Sequence, residues 1–233
     1  MSPGASSAPL LTSFGSHRDD EGPDDFLDQR RLRKIHHRRQ SRRRAGARVG
    51  VLDLDPQRSV LAWSRARPAA DVPGRACSAA GLKRTIARER ERGVFEYLIV
   101  DTPPTRNLES LAGLEVADLV LVPVRPAPFD LGATRATFEL IRSLKKSYGA
   151  FINCAPPRRD DQDSPLVRET RMALAPVGQR LWSRQITQRV AIVYASAGGL
   201  GASEFQPGGQ SAVEYEHLWS DLKLGGVDLR IGA

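Results

Sequence analysis

From Val49 onward, short apolar runs alternate with stretches whose apolar residues recur at helical spacing. Val49-Gly-Val-Leu-Asp-Leu-Asp55 reads as a buried strand that closes on carboxylates. Gly81 to Arg92 reads as a helix with a strongly charged outer face, and Phe95 to Asp101 as a second strand, nearly all apolar and again ending in Asp. Ala117 to Val124 is a third strand. Leu131, Thr134, Phe138, Ile141, Leu144 and Tyr148 mark a helix over Asp130 to Tyr148, with Asp130 near its N-cap. Gly149 to Cys154 is a fourth strand, and helices are expected over Pro165 to Leu174 and Ser211 to Leu222.

Apolar strands separated by amphipathic helices imply parallel strands covered on both faces. The expected fold class is α/β: a doubly wound, mostly parallel sheet with helices on both faces. Ligands of such sheets sit at the carboxyl ends of the strands. Asp55, Asp101 and Asn153 all fall at those ends.

Two segments carry a family resemblance. Leu52-Asp-Leu-Asp-Pro-Gln57 resembles the DxDPQ segment of ParA/MinD-type (deviant Walker A) P-loop ATPases, and Tyr97-Leu-Ile-Val-Asp-Thr-Pro-Pro104 resembles their Walker B strand and switch. The downstream order is similar too: an aliphatic strand running into Pro-Val-Arg-Pro126, a helix opening Phe129-Asp-Leu, a strand ending at Asn153, then Ile186-Thr-Gln-Arg-Val-Ala191 and Pro207-Gly-Gly-Gln-Ser-Ala212. The resemblance spans residues 48–223 and is to the DNA-partitioning branch of the family. It implies ATP and Mg²⁺ as cofactors. Asp101 would hold the metal directly or through water, with Thr102 beside it. Asp55 would position the attacking water with Asp53 behind it, and Asn153 would meet the adenine base. Non-specific DNA, a ParB-like protein and a second copy of the chain are the implied partners, in a cytoplasmic, nucleoid-associated setting. A strand-end carboxylate also serves as a turn or cap residue, and for Asp53 that reading stands beside the chemical one. Asn153 in the same way suits a turn. Trp63 and Trp182 read as packing residues.

Charge changes the picture at the N-terminus. The chain carries a net +8, yet Arg30 to Arg44 alone holds eight Arg and one Lys, so the remainder is close to neutral. Residues 1–19 are rich in Ser, Gly and Pro without periodicity, and residues 20–28 are acidic. Residues 1–47 are therefore expected to be irregular, 48–223 the α/β domain, and 224–233 a tail. No apolar run approaches the roughly 18–20 residues of a membrane span, and no signal peptide or membrane partner is expected. Cys77 and Cys154 have no metal-type spacing and read as structural thiols of a reducing compartment.

The resemblance also exposes a gap. A P-loop needs glycines whose backbone N–H groups cradle phosphates, with a Lys and a Ser/Thr beside them. Its place is held by Gln29 to Arg44, which has no glycine and no apolar run ahead of it. The genetic code offers a reason. Permitted codons for Gln29 onward, read one base later, spell KGGSGKSTIAVNLAV, a loop and first helix of the family. Asp20 to Asp28 likewise permits MKVLTIFST, a start and a first strand. Residues 20–44 are thus expected to be an out-of-frame translation, with the frame returning near Ala45 to Val49. The N-terminal strand and first helix are then lost, and the chain is expected not to hydrolyse ATP. Two other readings stand beside this one. The first is a non-catalytic α/β scaffold whose basic arm coats DNA. The second is a MinD-like positioning ATPase, against which the short, Gly-broken ending Lys223 to Ala233 argues. Arg180, Arg184 and Arg189 are candidates for a basic DNA-facing surface.

Overall fold

The computed structural model describes residues 10–13, 48–104 and 107–224. Seven parallel strands form one sheet: β1 Leu10–Ser13, β2 Val49–Asp53, β3 Gly74–Ala76, β4 Tyr97–Asp101, β5 Leu119–Val124, β6 Tyr148–Ala155 and β7 Leu181–Thr187, in the order β3-β2-β4-β1-β5-β6-β7. The helices are α1 Ser59–Ala66, α2 Ala79–Arg92, α3 Leu108–Val116, α4 Pro128–Ser143, α5 Pro165–Ala173, α6 Val190–Ala197, α7 Ala202–Phe205 and α8 Gln210–Leu224, with a 3₁₀ segment at Ala175–Arg180. This is the expected wound α/β class.

The N-terminal strand was expected to be lost, but its place in the sheet is occupied by another segment. Leu10–Ser13 fills the central slot, with Leu10 to Ser13 paired to Leu98 to Asp101 on one side and Leu11 to Ser13 paired to Leu119 to Leu121 on the other. An empty slot would leave the facing N–H and C=O groups of β4 and β5 unpaired inside the fold, which is costly. A four-residue stretch is enough to satisfy them. The irregular N-terminal segment is corrected at these four positions, whereas the basic tract and the position of the first helix lie outside the described residues.

Apolar strands are packed on both faces. Val120, Val122 and Val124 of β5 meet Phe138 and Ile141 of α4 on one side. Leu121 and Phe151 meet Trp182, Ile192, Tyr215 and Leu218 on the other. Beneath α2 lie Leu52, Leu98 and Val100. Gly50 lets β2 pass close to Phe95, since a Cβ there would lie 3.0 Å from the ring and force it to shift. Trp63 and Trp182 are buried, as expected of packing residues, and both cysteines are free and buried.

One helix differs from expectation at both of its limits. The fourth helix starts at Pro128 and gives way at Leu144, after which Lys145 turns left-handed (φ 52°) and Tyr148 opens β6. Proline at the first helical position suits its fixed φ, and Tyr148 is 3% exposed in the strand, packed on Phe138. The arginines set aside for a basic surface do not lie on exposed helix faces either. Arg180 ends the 3₁₀ segment and stacks over Tyr148, Arg184 sits in β7 against His217, and Arg189 forms two bonds to Glu214.

A buried cation ties the far end of α1 to the α6–α7 connection. The Arg67 guanidinium donates to both Glu204 oxygens (2.9 and 2.7 Å), to Asp71 and to the Gly199 carbonyl, and it lies 4.7 Å over the Trp63 ring. Burial opposes its charge, but the bonds to Glu204 and Asp71 outweigh it and hold its pKa above the ordinary arginine value. The approach is so close that a Cβ on Gly199 (φ +66°) would lie 2.5 Å from the Ala66 carbonyl carbon.

Truncating Arg67 removes the cation that faces Glu204 and the bond to the Gly199 carbonyl, so Arg67→Ala should cost about 2–3 kcal/mol, read as a shift in the denaturant midpoint with unchanged slope. Deleting residues 1–13 removes β1 and should abolish a single cooperative melt. A full-length-like transition would refute the role of Leu10–Ser13. At the outer sheet edge, Asp163 accepts from Arg158 (2.7 Å) and Arg171 (2.6 Å). Burial pushes its carboxyl up, but Arg171 and then Arg158 outweigh this and set its pKa below the ordinary 3.8. Its stabilisation is thus complete above that value and disappears as pH falls through the lower folded pKa. The gap in melting temperature between wild type and Asp163→Asn should be full at pH 6 and close on acidification below about pH 4.

Candidate functional site

The carboxyl edge of the sheet gathers the acidic residues. Asp53 pairs in register with Asp101, and Ser13 pairs with Asp101 from the other side, so β2, β4 and β1 stop level. Beyond that level the Leu54 amide donates to the Asp101 carbonyl at 2.9 Å, which carries the chain over the edge into Asp55. Asp55, Asp101 and Thr102 are 2%, 2% and 1% exposed.

The Asp-x-Asp-Pro-Gln spacing has a local physical cause. Asp53 Oδ1 accepts from the Asp55 amide (3.0 Å), and Asp55 Oδ1 accepts from the Gln57 amide (2.7 Å). Each carboxylate thus closes a turn onto the residue two ahead. The Arg58 amide donates to the Asp55 carbonyl at 3.1 Å, closing a turn with Pro56 at its second position, where proline's fixed φ is favoured. Arg58 is left-handed (φ 54°), and its guanidinium donates to the Asp53 carbonyl. Downstream of β4, Ser110 anchors the Thr-Pro-Pro turn by donating to the Pro103 carbonyl at 3.0 Å, and Asn107 caps α3 through the Ser110 amide.

Asn153 stands apart from the carboxylates. Three strand spacings separate β6 from β4, about 14 Å. Along the strands, Gly149 is level with Leu121, Ser13 and Asp101, which puts Asn153 four residues further on. A ligand that touches both ends must therefore be elongated. Asn153 is 1% exposed, and neither its amide nitrogen nor its oxygen has a partner among the described residues. A buried donor–acceptor pair left open in this way fits the edge of a base. Near it, Gln185 donates to the Pro156 carbonyl, and Thr187 Oγ1 donates to Glu214.

The residues present thus suit two parts of a magnesium–nucleotide. Asp101 suits the cation and Asn153 the base. Among the described residues no group of three His, Cys, Asp or Glu side chains could hold a metal. A cation at Asp101 therefore needs phosphate or water oxygens to complete its shell. The positions that would form a phosphate cradle, between β1 and β2, lie outside the described residues. Arg58 and Gln185 had no motif to announce them, although Arg58 directly follows the Asp-Pro-Gln run.

A parallel sheet wound in this order is the P-loop NTPase-like α/β fold. No protein-family model matches the chain. It is 26% identical over 173 residues to the maintenance of carboxysome distribution protein A of Halothiobacillus neapolitanus, covering 72% of this chain and 78% of that one. It superposes on apo McdA from Cyanothece with a TM-score of 0.67 at 16% identity, covering 93% of this chain and all of that one. With MinD complexed with Mg-ADP from Pyrococcus horikoshii the TM-score is 0.61 at 12% identity, covering 96% and 100%. The chain is thus similar to proteins of the ParA/MinD type and shares their fold.

Proposed function

We propose that this chain is the translation of a ParA-like positioning ATPase whose phosphate-binding loop lies out of frame across residues 20–44. The observation that carries this is a divided site. Asp55, Asp101 and Thr102 stand ordered and buried at the carboxyl edge, and Asn153 is left open for a base. The segment that should cradle the phosphates, Gln29 to Arg44, has no glycine. Mg²⁺, when bound, would neutralise charge on phosphate oxygens, with Asp101 as its protein ligand. Asp55 would orient the attacking water. The cargo reading shifts with the relatives. A carboxysome-distribution relative and MinD-like folds favour positioning of an intracellular body over plasmid partition as such. A ParB-like adaptor, non-specific DNA as the track and an ATP-dependent homodimer follow from the same reading. Among the described residues no helix is long and apolar enough to cross a membrane.

The basic arm is a second reading, favoured by the eight Arg and one Lys of residues 30–44. It predicts salt-sensitive DNA binding that vanishes on deletion of residues 1–47.

The direct test compares two chains. The 233-residue protein should show no Mg²⁺-dependent ATP turnover. The chain with the shifted frame restored should turn ATP over, and both Asp101→Ala and Asp55→Ala should lower the rate at least tenfold. Turnover by the 233-residue chain that Asp101→Ala abolishes would overturn the proposal. So would genomic codons that spell no loop in the neighbouring frame.

A further inference from the structure

We infer that Asp53 is a positioning residue, and that it sets the Asp55 loop by acting as the remote cap of α1. Asp53 is fully buried, at 0% exposure. Its two oxygens serve different segments: Oδ1 accepts from the Asp55 amide at 3.0 Å, and Oδ2 accepts from the Leu61 amide at 3.1 Å. Leu61 is the third residue of α1. That amide is one of the groups an N-cap side chain ordinarily satisfies. Here the residue in the cap position, Arg58, is left-handed and makes no side-chain cap bond. Its guanidinium turns back instead to the Asp53 carbonyl. The helix start is therefore capped from eight residues away by a carboxylate on the neighbouring strand end, where the helix dipole also favours negative charge.

This geometry gives the first carboxylate of the Asp-x-Asp pair a separate task. With one oxygen on the Asp55 amide and the other on α1, Asp53 fixes the distance between the loop and the helix. Asp55 is held from behind, and its own Oδ1 spans the turn to Gln57. Asp53 needs no contact with substrate to govern the aim of Asp55. The consequence for hydrolysis rests on the nucleotide-site reading, whereas the hold itself does not.

Amide hydrogen exchange on the full 233-residue chain, resolved by residue, tests the hold. In Asp53→Ala, the Asp55 and Leu61 amides should exchange at least tenfold faster, while amides of β4 and β6 keep their rates. In Asp53→Asn, which keeps one carbonyl oxygen, one of the two amides should stay protected. Unchanged rates at both amides in Asp53→Ala would overturn the inference, as would a uniform rise across β4 and β6, which marks a simple core residue. In the frame-restored chain, Asp53→Ala should lower kcat toward the Asp55→Ala value with the dissociation constant for ATP unchanged. A kcat equal to wild type would overturn the positioning role. Failure of that restored chain to bind ATP at all would instead sink the nucleotide reading, with the exchange result standing on its own.

Discussion

Everything at the carboxyl edge depends on the ladder through the middle of the sheet. In a parallel sheet the ends of neighbouring strands are placed by register alone, since no hairpin ties them. Asp53 meets Asp101 because β2 and β4 pair residue for residue, and Ser13 meets Asp101 because β1 pairs with β4. In the sheet, β1 also bridges the β3-β2-β4 half and the β5-β6-β7 half. Four residues thus join the half that carries the carboxylates to the half that carries Asn153.

The second constraint is the fixing of α1 at both ends. Its start is held to β2 by Asp53, and the residue after its end, Arg67, is locked to Glu204 and Gly199. A helix of eight residues has little stability of its own. Here tertiary bonds supply it, and the same bonds place the Asp55 loop. Stability and site geometry are one problem in this corner of the molecule. That is why a buried carboxylate and a buried guanidinium persist where apolar residues would be easier to desolvate.

Much of the fold and site was legible in the sequence, for identifiable reasons. Leu98 to Val100 and Leu119 to Val124 are covered on both faces, so their strands read as unbroken apolar runs. The positions of Asp55, Asp101 and Asn153 followed from where such runs end. β7 was hidden because it lies at the sheet edge, where Ser183 and Arg184 are exposed and break the run. Helix α6 was hidden because Val190 and Tyr194 face outward, at 64% and 63% exposure, against the amphipathic rule. The start of α1 gave no signal because its cap comes from Asp53 rather than from Arg58. β1 was hidden by its length, since Leu-Leu-Thr-Ser has no period to detect, and only the demand of β4 and β5 for a partner singles it out.

The bonds that shape the Asp55 corner lie within one part of the chain. The described bonds that shape the Asp55 turn run among Asp53, Asp55, Gln57, Arg58 and Leu61, and those that brace α1 run from Arg67 to Asp71, Gly199 and Glu204. All of these residues lie after Val49. Under the proposed reading, a shift confined to residues 20–44 would remove the phosphate cradle and leave these donors and acceptors in their sequence positions. The central slot is the place where an N-terminal strand is structurally required, because β4 and β5 cannot meet each other across it. A parallel strand contributes there chiefly through backbone groups, which any non-proline residue supplies. That tolerance lets Leu10–Ser13 fill the slot in the sheet, while no comparable tolerance exists for a phosphate cradle, which depends on glycine and on a lysine at fixed spacing. The slot in the sheet is therefore filled on backbone terms alone, whereas a cradle for phosphate has to be specified residue by residue.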